Sequence, residues 1–165
     1  MSKGFREIGR LEIPGGGQVT VQGDYAYLGH LEPPYGTSIV DISDRKHPKL
    51  VSTIEVPHHT HSHKVRVHGD VMLINYEQFG RLDMEFQGGM KIFDISNKAK
   101  PREIAFFKCD GGGMHRFDYD GDYAYISPQV HGWYGNVAMI VEDRKSTRLN
   151  SSHGYISYAV FCLKK

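Results

Sequence analysis

The sequence has little of what would mark an obvious class. It has two cysteines, Cys109 and Cys162, too few for a disulfide-built scaffold. Charge of one sign is missing as well. The formal net charge is +1 and no basic stripe stands out, which argues against nucleic acid as the main partner. No apolar run is long enough to cross a bilayer as a helix, so no membrane partner is expected. The opening MSKGFREIGRLEIPGGG lacks the apolar centre of a secretion signal, and the expected compartment is therefore the cytoplasm. No stretch shows convincing helical periodicity. With 165 residues the chain is still long enough to bury a core.

What is present is a repeat. Gly23-Asp24-Tyr25-Ala26-Tyr27-Leu28 returns as Gly69-Asp70-Val71-Met72-Leu73-Ile74 and again as Gly121-Asp122-Tyr123-Ala124-Tyr125-Ile126. The first glycines stand 46 and 52 residues apart (23 to 69, 69 to 121). A second marker keeps the same register: Thr37-Ser38-Ile39-Val40-Asp41-Ile42-Ser43 matches Met90-Lys91-Ile92-Phe93-Asp94-Ile95-Ser96. Both are followed by a basic turn and a proline, Pro48 and Pro101. Short alternating or β-branched runs flank each Gly-Asp pair, the pattern of strands joined by tight hairpins. Strands are expected at 18–22, 25–30, 37–42 and 49–56, then at 64–68, 71–77, 89–95 and 102–108, then at 115–119, 123–129 and 136–142. The tyrosines of the Gly-Asp markers are expected in the core.

Four-stranded units of this length are the size of propeller blades. The paired DIS and IVD-like markers resemble the LVIVD-repeat family of β-propellers, over about residues 17–142. The expected fold is therefore all-β: a partial β-propeller with two four-stranded blades and most of a third, not a closed ring. The divisions are a lead-in at 1–16 and blades at 17–57, 58–109 and 110–142. Open outer blades would leave apolar faces uncovered, so this piece is expected to aggregate when alone.

From Asp143 the texture changes. Asp143–His153 and Ile156–Leu163 resemble the translation of a short-read sequencing adapter, with Gly154-Tyr155 in the index position and Lys164-Lys165 fitting a run of A. Residues 143–165 are therefore expected to be a non-native tail, excluded from fold reasoning. In the repeat register Glu142 stands where Asp41 and Asp94 stand, so an aspartate is the residue expected there.

The chemistry concentrates in His58-His59-Thr60-His61-Ser62-His63, four imidazoles in six residues. Antiparallel blades send alternate loops to opposite faces of a disc. His30, His58, His59, His61, His63, His115 and His131 fall on one face, with His47 and His68 on the other. Six residues before the marker glycines stand Gly17, His63 and His115, at the head of each innermost strand. If 59–63 is extended, His59, His61 and His63 point to one side. His61 and His63 could then share an ion with His115, with His131 or Glu77 as further donors. Imidazole suits Cu, Zn, Mn or Fe. Tyr76, Glu77, Arg116 and Trp133 are the candidates for contacting a small-molecule or protein ligand. Solvated loop histidines, an anion site and a pH-sensitive cluster compete with the metal reading. The glycine runs at 15–17 and 111–113 precede no helix, so close backbone approach explains them better than phosphate binding. The histidine-rich axial face is also distantly similar to the selenium-binding protein and methanethiol oxidase propellers. That analogy implies a metal site near the axis and a metal-dependent oxidase or other metalloenzyme. A non-catalytic propeller that displays its loops to a protein or glycan partner is the alternative, and the sequence does not decide between them.

Overall fold

The computed structural model describes residues 4–80, 86–133, 137–142 and 158–160. Strands β1 (Gly16–Gln22), β2 (Tyr25–His30), β3 (Tyr35–Asp41) and β4 (Lys49–Glu55) form a first antiparallel sheet in that order. The second sheet contains β5 (Thr60–His61), β6 (Val65–His68), β7 (Val71–Gln78), β8 (Gly89–Asp94) and β9 (Arg102–Lys108). Here β5 and β6 both pair with β7, so the innermost strand is interrupted between them. The third sheet contains β10 (Met114–Tyr119), β11 (Tyr123–Pro128), β12 (Met139–Glu142) and β13 (Tyr158–Val160). Among the described residues there is no helix.

Local chemistry accounts for the repeated turns. Gly23 and Gly69 have φ of 59° and 58° at the first central position of two-residue hairpins, where a side chain would be strained. Asp41 and Asp94 close their strands alike: each Oδ1 accepts the backbone N–H two residues on, from Ser43 at 2.8 Å and Ser96 at 2.9 Å. The repeat register is also the strand register. Tyr25 pairs with Asp41, Val71 with Asp94, and Tyr123 with Glu142. Glu142 thus occupies the structural position of the two aspartates.

The sheets stack face to face with their first strands adjacent. Tyr27, Ile39, Val65, Met72, Ile74 and Phe93 fill the space between the first and second sheets. Leu73, Met90, Met114, Phe117, Ala124 and Ile126 fill the space between the second and third. Strand β7 divides its side chains between the two cores, which is why Val71–Ile74 reads as an unbroken apolar run. Cys109 belongs to the second core, where burial pushes its thiol up to about 12.

Two differences from expectation have plain causes. Tyr27 is fully buried, but Tyr123 and Tyr125 are exposed. Tyr27 is covered by the following sheet, and no described sheet follows the third. The strand expected over 136–142 is shorter, at Met139–Glu142, and its sheet gains a fourth strand in Tyr158–Val160. The edge of β12 presents unpaired N–H and C=O groups, and a short extended apolar segment satisfies them whatever its origin. The rest of the expected tail lies outside the described residues.

Candidate metal centre

The site begins with two strands that diverge. Thr60 and His61 pair with Gln78 and Glu77, which puts Glu77 directly opposite His61. His59 has φ 68°, its carbonyl accepts the Phe79 N–H at 2.7 Å, and its side chain is exposed. The alternation therefore starts at Thr60. Thr60 and Ser62 point inward, fully covered, while His61 and His63 share the other side with ring centroids 3.9 Å apart.

Tight backbone contacts hold His63 in place. Its carbonyl accepts the Gln18 N–H at 2.7 Å, and the backbones of Gly17 and Gly29 lie against it with no room for a Cβ. Gly113 makes the same kind of close approach to the Tyr76 carbonyl one sheet later. The last glycine of each run, Gly17 and Gly113, therefore serves close backbone packing near the inner strands. Asn75, fully buried, ties the segment from the other side: its Oδ1 accepts the Lys64 N–H at 2.8 Å, and its Nδ2 donates to the His61 and Met114 carbonyls at 3.3 Å. Sequence reasoning missed Asn75. The available signal was one amide inside the otherwise apolar run Val71–Tyr76.

Glu77 is the centre of the cluster. Its Oε2 lies 4.0 Å from His61 Nδ1, 3.9 Å from His63 Nδ1 and 2.9 Å from His115 Nδ1. His115 donates from Nδ1 to both carboxylate oxygens, at 3.0 and 2.9 Å, since a carboxylate only accepts. One ligand atom each from His61, His63 and Glu77 lies within 4.8 Å of the others, the spacing of groups that could hold a metal ion. His61 Nε2 and His63 Nδ1 are buried with no hydrogen-bond partner. Orphaned buried polar atoms are rare and ask for a cause.

The structure brings together His61, His63, Glu77 and His115. His115 is the hydrogen-bond donor that orients Glu77, while Glu77 completes the metal-sized group. His59 and His131 are exposed and outside that group. Tyr76 turns away from Glu77, because neighbours on a strand face opposite sides. It packs against Phe106 with the Lys91 ammonium 4.5 Å from its ring centroid. Trp133 is exposed in a turn, and Arg116 lines the cleft beside Glu77 and His115. That cleft measures about 480 Å³ and is open to solvent.

Burial sets the electrostatics. The His63 imidazole is pushed down to about 3, first by burial and then by His61, Lys64, His115 and Arg116. Burial also lowers His61, against the attraction of Glu77. Both rings are therefore neutral near pH 7, with lone pairs available. An unfolded histidine takes up its proton near 6.5, so the unfolded chain binds more protons from there down toward pH 3. Stability of the metal-free protein is accordingly full above pH 6.5 and falls with pH below it. His63 alone contributes a slope of up to about 1.4 kcal/mol per pH unit. The urea midpoint measured from pH 7 to 5 should drop, and a His63→Gln variant should flatten the curve. A midpoint flat across that range would rule out a buried neutral His63.

The stacked four-stranded units define a repeat protein of the β-propeller class. The LVIVD repeat model matches residues 16–56, the whole first sheet, and residues 85–108, the outer half of the second, so these two segments are LVIVD repeats. No curated protein matches it. His61, His63, Glu77 and His115 all lie outside the matched segments, so the match accounts for the scaffold and not for the site.

Proposed function

We propose that the protein binds a divalent transition metal through His61, His63 and Glu77, on the histidine-bearing face of the propeller. The observation that carries this reading is that His61, His63 and Glu77 each offer a donor atom within 4.8 Å of the others, and that each of the two imidazoles has a buried nitrogen with no hydrogen-bond partner. Two imidazoles and one carboxylate suit Zn, Fe or Mn, and three protein donors leave positions open for water or substrate. His115 supports the group from outside by fixing the Glu77 carboxylate, and it borders the open cleft through which a ligand reaches the ion. The metal would supply Lewis-acid or redox chemistry to that ligand.

The test is titration of the chelator-treated full chain with Co(II), read by its visible absorption, and with Zn(II) by calorimetry. One ion per chain is expected. His61→Ala/His63→Ala should weaken binding by at least about 100-fold with the β-type circular dichroism retained, and His115→Ala by about 10–100-fold. His59→Ala and His131→Ala should bind like the parent. A folded protein that takes up neither ion, or a double variant that binds as well as the parent, would overturn the proposal.

A further inference from the structure

The repeat places one further set of residues in register. Directly after Gly17, His63 and His115 come Gln18, Lys64 and Arg116, each five residues before its marker glycine. All three line one hollow of about 770 Å³ beside the inner strands. Two of the three carry positive charge. Arg66 and Asp118 also line it, but they are committed to each other at 2.6 Å. Glu77, in the adjoining cleft, is held by His115. Among the described residues, neither Lys64 nor Arg116 has a carboxylate partner. Arg116 lines both the hollow and the cleft, so it stands between the hollow and Glu77.

Cations at equivalent positions of successive repeats converge on one space, so their charges add there. Structural arginines and lysines near an inner wall are normally neutralised, as Arg66 is by Asp118. Lys64 and Arg116 are not. A small oxyanion satisfies both cations, because charge-assisted hydrogen bonds from guanidinium and ammonium are the strong ones for carboxylate and phosphate.

We propose that Lys64 and Arg116 form a seat for a small oxyanion, a carboxylate or phosphate group, in the hollow beside the inner strands. Anion binding stands on these two cations alone. Its meaning as the seat of a metal-bound substrate's charged end rests on the metal reading above.

The test uses the full chain, freed of metal and dialysed, titrated calorimetrically with inorganic phosphate and separately with acetate at low ionic strength. Saturable binding of at least one probe is expected, and the arm that binds names the source of the anion. Arg116→Gln and Lys64→Gln should each weaken it by about tenfold, and Arg116→Lys should restore most of it. Raising the salt concentration should weaken it further. The His61→Ala/His63→Ala variant should keep anion binding while losing metal, so the two readings fail separately. If neither probe binds the folded parent, or if both glutamine variants bind like the parent, the anion seat does not exist. If anion binds and metal does not, the seat stands and its role toward a metal-bound substrate falls.

Discussion

Asn75→Leu is expected to cost about 3–5 kcal/mol of folding stability and to weaken metal binding as well. Leucine keeps the branching at Cγ but has larger end groups, so the change removes the hydrogen bonds and adds some overpacking at a fully buried position. The amide serves three backbone groups: the Lys64 N–H, the His61 carbonyl and the Met114 carbonyl. The first two lie where the innermost strand of the second sheet is interrupted, at the break between β5 and β6, and the third belongs to the first residue of β10 in the next sheet. Each buried group left without a partner costs about 1–3 kcal/mol, partly offset by the apolar burial of leucine. Equilibrium urea denaturation followed by circular dichroism measures the loss. Because the His61 carbonyl is one of the three, Co(II) affinity should fall by about tenfold in the same variant. A loss below about 1 kcal/mol would mean that the amide does not hold the histidine segment.

Gly29→Ala is the second large effect, about 3 kcal/mol or more. A Cβ there would stand 2.4 Å from the His63 carbonyl carbon and 2.9 Å from its Cα, and backbone has no rotamer by which to yield. Overpacking of this kind costs about 1–3 kcal/mol when side chains can adjust, and more when they cannot. Gly23→Ala is the matched control. It meets nothing within 4 Å, and its cost is only that of a left-handed φ of 59°, about 1–2 kcal/mol. Thermal denaturation of the two variants should therefore separate them, with the larger shift at Gly29. Equal shifts would mean that the inner strands part easily, and that the position of His63 is not fixed by that contact. Gly29→Ala should also disturb metal binding, whereas Gly23→Ala should leave it unchanged.

The two Gly-Asp markers at 23 and 69 and the two DIS markers were legible because each is a local demand. A tight hairpin needs a glycine, and a strand end is closed by an aspartate that bonds the backbone two residues on. Nothing distant has to be known for either. The order and bounds of most strands followed from these markers, as did the pairing of His61 with His63 on one side, since alternation along a strand is also local. Extending that alternation back to His59 failed, because a single residue at positive φ breaks it.

The sequence by itself determined the repeating all-β architecture, the LVIVD character of residues 16–56 and 85–108, and the clustering of histidines at one strand head. Only the tertiary structure decided which partners those histidines have. Glu77 reaches them through the pairing of β5 with β7, and His115 reaches Glu77 across two sheets. Asn75 holds the segment by bonds that span 11 to 39 residues. The neutral state of His63 was likewise out of reach of the sequence, since it depends on burial and on charges contributed by a neighbouring sheet. Periodicity is written in local sequence because backbone geometry is local. Coordination, desolvation and charge convergence arise between residues far apart in the chain, and only packing sets their distances.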